Sequence, residues 1–212
     1  DDGNTRITLS DGGDVTFADG TDIITASAGT SNVRVGVNAG NSIASGGNYN
    51  TVVGDEAGTA ISTGDNNTFI GYASGDALTT SSDNTAVGKS SMSALIDGGS
   101  NTSLGSSALS DDTKGSKSTA MGFQALSSQN FTSATDAHNT AVGYNAGSLV
   151  TTGTGNTYIG SSVGDANTDG VANVAMGGDG TYAALGVDTR GKHTTAIGFG
   201  ALAAQNFTSS TA

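Results

Sequence analysis

The sequence predicts an all-β fold, a β-solenoid or β-roll of about ten coils, each roughly 17–21 residues long. The first observation is a five-residue motif that ends in glycine and recurs ten times in nearly constant phase. The second is the period, because about 17 residues cannot hold a helical hairpin but can hold two short strands and two turns. The third is a formal charge of −12 with few large aliphatic residues. That composition suits either disorder or a narrow coil, and the periodicity favours the coil.

Glycine closes every copy of the motif, of which Asn-Thr-Ala-Val-Gly at 139–143 is an example. Counted along the chain, successive anchor glycines are separated by 18, 17, 17, 17, 17, 21, 17, 17 and 21. A glycine directly after a strand fits a bend where a Cβ would clash or where φ is positive. The anchors are Gly36, Gly54, Gly71, Gly88, Gly105, Gly122, Gly143, Gly160, Gly177 and Gly198.

Two motif positions define the faces of the predicted strand, since alternate residues of a strand point to opposite sides. The residue before each glycine is always apolar, as in Ile70 and Leu104, and we assign it to the core. The residue two before the glycine is mixed, as in Phe69 and Ala86, and we assign it to the face that meets solvent or another chain. A second core wall is predicted from aliphatic residues seven positions after the glycine, namely Ile43, Ile61, Leu78, Leu95 and Val150.

Asparagine opens eight of the ten motifs and predicts a ladder of amides stacked at the ~4.8 Å strand spacing. A sugar or metal contact is the alternative reading of these side chains. Ten stacked coils would make a rod roughly 43 Å long.

Two regions are expected along the chain: a lead-in β segment at 1–30 and the glycine-anchored solenoid at 31–212. The segment 125–133, which lies in the first long coil, returns with two substitutions at 201–209. We therefore expect this sequence to be a fragment of a longer polypeptide. We expect the next anchor glycine 21 residues after Gly198, which is also the spacing between Gly177 and Gly198.

Several classes of function are disfavoured by composition. The chain has no cysteine, which excludes disulfides and thiolate zinc ligands. No apolar run approaches the ~20 residues of a membrane span, so no membrane insertion is expected. Seven Lys and Arg against nineteen Asp and Glu argue against nucleic acid as a partner.

The two four-residue insertions, before Gly143 and Gly198, are the candidate binding loops, because insertions in repeat proteins usually lie on one face. Phe131, His138 and Phe207 are the candidate receptor contacts there. The phenylalanines could instead fill the wider coils, and His138 could be an exposed turn residue or face its copies on a threefold axis.

One segment has the opening spacing of a Ca²⁺ loop, with oxygen ligands at Asp165, Asn167 and Asp169. Met176 stands where such a loop has its bidentate Glu, so an Asx-rich turn is the alternative. No other cofactor is expected.

A thin solenoid with few large apolar residues exposes sheet edges and is poorly stabilised alone. Self-association around a threefold axis would bury the second strand face. We therefore expect a homotrimer.

The repeat Asn-Thr-Ala-Val-Gly-Tyr-Asn-Ala-Gly at 139–147 resembles the repeats of viral tail fibres, especially those with an S74-type C-terminal chaperone domain. It is also similar to the Ser-Val-Ala-Ile-Gly repeats in the heads of trimeric autotransporter adhesins, and the lead-in at 4–17 strengthens the tail-fibre resemblance. The resemblance implies a trimeric fibre on a virion or cell surface that holds a receptor-binding tip away from it.

Three functions follow as expectations. The first is the structural shaft of a virion tail fibre that supports attachment to a host receptor or glycan. The second is a bacterial trimeric surface adhesin stalk or head. The third, from another class, is a carbohydrate-degrading tailspike-like solenoid, which would need paired carboxylates in a groove. The repeat offers no recurring acidic pair, so no enzyme is expected.

Overall fold

The computed structural model describes residues 27–204, which form twelve short strands and no helix. Ten strands make one sheet in the order β1-β2-β3-β4-β5-β7-β9-β10-β11-β12, and β6 and β8 make a second, two-stranded sheet. The predicted β-solenoid of about ten coils is confirmed; most of the predicted lead-in and Phe207 lie outside the described residues. The strands are β1 Val33–Val35, β2 Thr51–Val53, β3 Thr68–Ile70, β4 Thr85–Val87, β5 Thr102–Leu104, β6 Gly115–Ser116, β7 Thr119–Met121, β8 Thr135–Asp136, β9 Thr140–Val142, β10 Thr157–Ser161, β11 Val174–Asp179 and β12 Thr195–Ile197.

Every strand pair is parallel, and equivalent motif positions lie opposite each other. Thr51 pairs with Thr68, and Thr68 pairs with Thr85, so each coil supplies one strand and then climbs by one strand spacing. The four-residue insertions leave this register intact, since Met121 still pairs with Val142 and Met176 with Ile197.

The middle residue of each three-residue motif strand points into the coil. Val52, Phe69 and Ala86 are fully buried, whereas Leu104 and Ile197, which each precede an anchor glycine, are exposed. Our assignment of the residue before the glycine to the core is therefore wrong, and the two faces are reversed. The interior also receives side chains from the turn and from the opposite wall, so little room remains for the strand, and most middle residues are small.

Core volume is shared between the middle strand residue and the residue four positions after the glycine. Where the strand supplies Phe69, the later position is Gly75, on which a Cβ would lie 2.6–2.7 Å from the Phe69 ring. Where the strand supplies Ala86, the later position is Met92, which is fully buried. Tyr158 likewise lies against a glycine, since a Cβ on Gly164 would be 2.5 Å from its ring. Each large residue therefore faces a small one within its coil.

The second wall has a predicted apolar part and a polar part that was not predicted. Ile43, Ile61, Leu78, Leu95 and Val150 are all buried, as expected. Asp112, Gln129, Asn167 and Asp188 also lie on this wall and are fully buried. Polar side chains at these depths require hydrogen-bond partners. Backbone N–H groups of the same coil supply some of them, as Gly191 does for Asp188, and the next coil supplies others, as Gln129 does for Asp112.

The asparagines at the start of the motifs form the predicted ladder inside the solenoid. The side-chain oxygen of Asn84 accepts the backbone N–H of Asn101 at 3.0 Å, and the Asn84 amide donates to the carbonyl of Gly98 at 2.9 Å. Each asparagine thus accepts a hydrogen bond from a backbone N–H of the next coil and donates one to a carbonyl on the far wall of its own coil. All members from Asn32 to Asn173 are buried.

The anchor glycines stack directly on one another at the end of the strand. At Gly88, φ is +135°, and a Cβ would lie 2.6 Å from the carbonyl group of Gly105. A side chain there would meet both a backbone conformation unsuited to L residues and the next coil.

The pairing of a large with a small core residue can be tested by giving one coil the residue pair of the next. We expect Phe69→Ala alone to cost about 3–5 kcal/mol of unfolding free energy, because it leaves a cavity. Gly75→Met alone should also destabilise, because the new side chain clashes with the Phe69 ring. The double variant should recover most of the loss, since it recreates the Ala86 and Met92 pair, in which Met92 has a positive φ like that of Gly75. A double-mutant cycle by chemical denaturation measures this, and additive losses would contradict it.

The amide ladder makes a second prediction. Asn84→Ala leaves the N–H of Asn101 and the carbonyl of Gly98 buried without their partner, so we expect a loss of about 1–3 kcal/mol for each orphaned group. Asn130→Ala is the matched control, because Asn130 is an exposed asparagine whose side-chain oxygen accepts the hydroxyl of Thr113 at 2.9 Å. Equal losses in the two variants, by chemical denaturation, would show that the ladder is dispensable.

Candidate functional site

The outward face of the ten-stranded sheet carries an uninterrupted apolar row. We define the outer strip as the residues one and three positions before each anchor glycine. Val35, Leu104 and Ile197 in this strip are 55%, 45% and 65% exposed. Threonines fill most of the positions three before the glycine, for example Thr51 and Thr102, so each coil adds a hydroxyl and a methyl group beside the apolar row.

Aromatic rings line one edge of the outer strip. The Phe123 and Tyr144 rings, on neighbouring coils, stack with centroids 5.5 Å apart and planes 10° apart. The Tyr182 and Phe199 rings lie 5.5 Å apart with planes at 51°. All four rings are exposed.

Tyr182 belongs to this row although it lies five residues after its anchor glycine rather than one. Its carbonyl accepts the N–H of Gly200 at 3.1 Å, as the carbonyl of Tyr144 accepts that of Ser162 at 2.8 Å. Tyr182 therefore takes the place of the residue after the glycine, and only the sequence offset of the insertion conceals it.

The two long coils depart from the solenoid at different corners. In the first, the N–H of Gln129 donates to the carbonyl of Leu126 at 3.1 Å, which is the usual turn between the residues seven and four after the glycine. The extra residues therefore come after the second wall. In the second, the N–H of Ala184 donates to the carbonyl of Gly177 at 2.8 Å, across seven residues. In an ordinary coil the equivalent hydrogen bond spans three residues, as from the N–H of Ala146 to the carbonyl of Gly143. The extra residues there lie between Gly177 and Ala184, and β11 runs into them as far as Asp179, with a shift of register against β10 after Ile159. The expectation that both insertions lie on one face is wrong, because coils can lengthen at any corner without disturbing the stacked strands.

The candidate receptor contacts have different environments. Phe131 is 6% exposed, and its carbonyl accepts the hydroxyl of Thr113 at 2.8 Å. Its ring therefore fills the wider coil rather than facing a ligand. His138 is exposed and has a φ of 51°. Phe207 lies outside the described residues.

The three candidate calcium ligands lie in different environments. Asn167 is buried, donates to the carbonyl of Asp188 at 3.3 Å and accepts the N–H of Gly170 at 3.1 Å. Asp169 lies 3.6 Å from the guanidinium of Arg190. Asp165 is half-buried, and burial raises the pKa of its carboxyl. Across residues 27–204 no group of three or more His, Cys, Asp or Glu is placed to hold a metal ion.

A buried polar cluster bridges the one break in the asparagine ladder between Asn32 and Asn173, at Ser118. Gln129 reaches from the second wall: its amide donates to Asp112, and its oxygen accepts the amide of Asn139 at 2.8 Å. Asp112 also accepts the N–H of Gly115 at 2.9 Å. The sequence signal for this cluster was the polar residue seven positions after the glycine in these two coils.

Burial raises the pKa of the Asp112 carboxyl, while hydrogen bonds from Gln129 and from the N–H of Gly115 oppose that rise. A carboxyl whose pKa is raised by folding binds protons more readily in the native state. It therefore lowers stability above its native pKa and restores that stability as the pH falls toward the unfolded value near 3.8.

The pH dependence can be isolated with Asp112→Asn, which removes the titrating group. We expect the free energy of unfolding of the native sequence, relative to that of the variant, to increase as the pH is lowered from 7 to about 4.5. Chemical denaturation at both pH values measures the difference, and the other carboxyls titrate equally in both proteins. A difference that stays constant or shrinks at low pH would contradict the assignment.

Comparison of the chain with protein-family models, with curated proteins and with solved structures finds no match. None of the described residues belong to a helix that is long and apolar enough to cross a membrane. The function is therefore argued from the surfaces described above.

Proposed function

We propose that this chain forms part of the structural shaft of a virion tail fibre, works as a homotrimer and supports host attachment without enzymatic activity. The outer strip is the observation that carries the proposal. It places apolar side chains on the solvent side of every coil, and a contiguous exposed apolar surface of this kind marks an interaction site. The resemblance of the repeat at 139–147 to tail-fibre repeats supports the same role.

The size of the outer strip favours a macromolecular partner. At about 43 Å by about 10 Å it covers roughly 430 Å², within the range of apolar patches that mark interaction sites. Burying that area would gain about 10 kcal/mol per chain. Association itself costs about 4–15 kcal/mol, so the exposed rings beside the strip are needed for a stable assembly.

A second and a third copy of this chain are the partners that fit the strip best. Its pattern repeats with the coil, so parallel copies at equal height bring apolar rows together along the whole rod. A cyclic arrangement around an axis parallel to the rod closes the assembly and leaves none of the three strips uncovered.

A rod of stacked coils also suits a spacing role. Each coil is tied to the next by a parallel strand and by the amide ladder, so bending would break buried hydrogen bonds. The role proposed for the shaft is to hold a receptor-binding tip away from the particle.

The trimer can be tested by cysteine cross-linking, because the chain has no native cysteine. We expect Leu104→Cys to give a disulfide-linked dimer under mild oxidation, since two of three axial residues can pair. Asp111→Cys is the matched control: it is exposed on the same coil but outside the strip. Leu104→Lys should lower the mass measured by light scattering from three chains to one. A native mass of one chain would overturn the trimer.

The biological setting needs a separate measurement. Antibodies raised against the rod should label the tails of purified virions in electron micrographs. Labelling of the envelope of uninfected bacteria would instead support the adhesin alternative. A fall in the viscosity of host polysaccharide on addition of the trimer would overturn the non-enzymatic role.

A further inference from the structure

The second long coil encloses a notch that the fibre role does not use. We define the second loop as residues 178–187, which contain the four-residue insertion. The notch has a volume of about 120 Å³ and is lined by Asp165, Gly180, Thr181, Ala183, Gly186, Val187 and Ala203. Because it is well below the roughly 300–1,000 Å³ of sites for drug-sized ligands, it can take one small ring at most.

The second loop is held in place before any ligand arrives. The Asp179 carboxylate accepts the N–H groups of Thr181 at 2.9 Å and Tyr182 at 3.1 Å, which fixes the turn. The Tyr182 ring packs against Phe199, and Ala184 returns the chain to Gly177. A wall that is already ordered costs less conformational entropy on binding.

The notch combines one carboxylate and one hydroxyl with small apolar walls. Asp165 supplies the carboxylate, Thr181 the hydroxyl, and Ala183, Ala203 and Val187 the apolar contacts. Among the described residues that line the notch none is Lys or Arg, so an anion would meet negative charge there. A calcium ion takes six to eight oxygen ligands, and a single carboxylate is a poor start for such a shell.

A neutral sugar fits this set of groups. Its adjacent hydroxyls can donate to a carboxylate, and its C–H faces can pack on Ala and Val side chains. Hydrogen bonds from sugar hydroxyls to a carboxylate are of the stronger, charge-assisted kind. The acidic charge of the whole chain disfavours acidic sugars at the same place.

Two residues of the notch lie away from the outer strip that the proposed assembly covers. Asp165 and Ala203 each lie five residues after an anchor glycine, whereas the outer strip consists of the residues one and three before it. Covering the strip with other copies therefore leaves these residues free.

We propose that the notch binds one hexose unit of a neutral glycan, with Asp165 as the hydrogen-bond acceptor and Ala183, Ala203 and Val187 against the sugar ring. This proposal deepens the host-attachment role and rests on it. The shaft would then contact host glycans along its length, in addition to holding the tip.

The test titrates the assembled 212-residue chain with methyl glycosides of glucose, galactose and mannose, observed by saturation-transfer NMR. Ethylammonium and acetate are the charged comparison ligands. We expect at least one glycoside to bind and Asp165→Asn to weaken it at least about tenfold. Val187→Trp, which fills the notch, should abolish binding.

Asp76→Asn is the matched control, because Asp76 is a half-buried aspartate five residues after Gly71 in a coil without an insertion. It should bind sugar like the native chain. Binding of ethylammonium alone, binding of no glycoside, or equal loss in the Asp76 and Asp165 variants would overturn the sugar site. None of these outcomes affects the cross-linking result, so the sugar site and the trimer fail independently.

Discussion

Registration of each coil on the next is the constraint on which this rod depends, and buried asparagine amides enforce it. Asn67 accepts the backbone N–H of Asn84, and Asn84 accepts that of Asn101, so a coil that slipped by one residue would orphan groups on both neighbours. Such groups are costly to leave unpaired away from water. Every other feature that repeats along the rod, from the stacked glycines to the outer strip, inherits its alignment from this ladder.

Exact stacking places equivalent residues of successive coils on top of one another, so the interior volume has to be divided among the side chains of each coil. Two large side chains do not fit side by side within one coil, because a Cβ on Gly75 would lie 2.6–2.7 Å from the Phe69 ring. The next coil has Ala86 and Met92 instead, so the bulky group moves from the strand to the turn that follows it. Where the ladder loses its amide at Ser118, Gln129 crosses from the opposite wall and restores the hydrogen bonds. The interior therefore tolerates variation that conserves volume and polar partners.

The period, the position of the strands, the amide ladder and the aliphatic second wall could all be predicted, because spacing and residue type report directly on a repeating coil. Which face of the strand points into the coil could not be predicted. Apolar character at Leu104 indicates that a side chain avoids water, but not whether the coil or another chain covers it. Sequence offset also hides structural equivalence inside an insertion, as it does for Tyr182. For Phe131 the sequence left two readings open, a ligand contact and a filler of the wider coil, and the burial of the ring favours the second. The burial of Asp112 depends on a partner on the next coil, Gln129, which no local pattern reveals.

The geometry of one coil separates the surfaces that the two proposals use. The strand gives its outward residues to the outer strip, and strand pairing keeps equivalent residues of neighbouring coils opposite each other there. The corners can grow, and the second loop shows that growth there leaves β11 and β12 paired. The surface proposed for assembly is thus constrained by strand pairing, whereas the surface proposed for ligand binding is not. Substitution is limited along the strip by its neighbours above and below, whereas a corner loop can change its ligand without altering the rod.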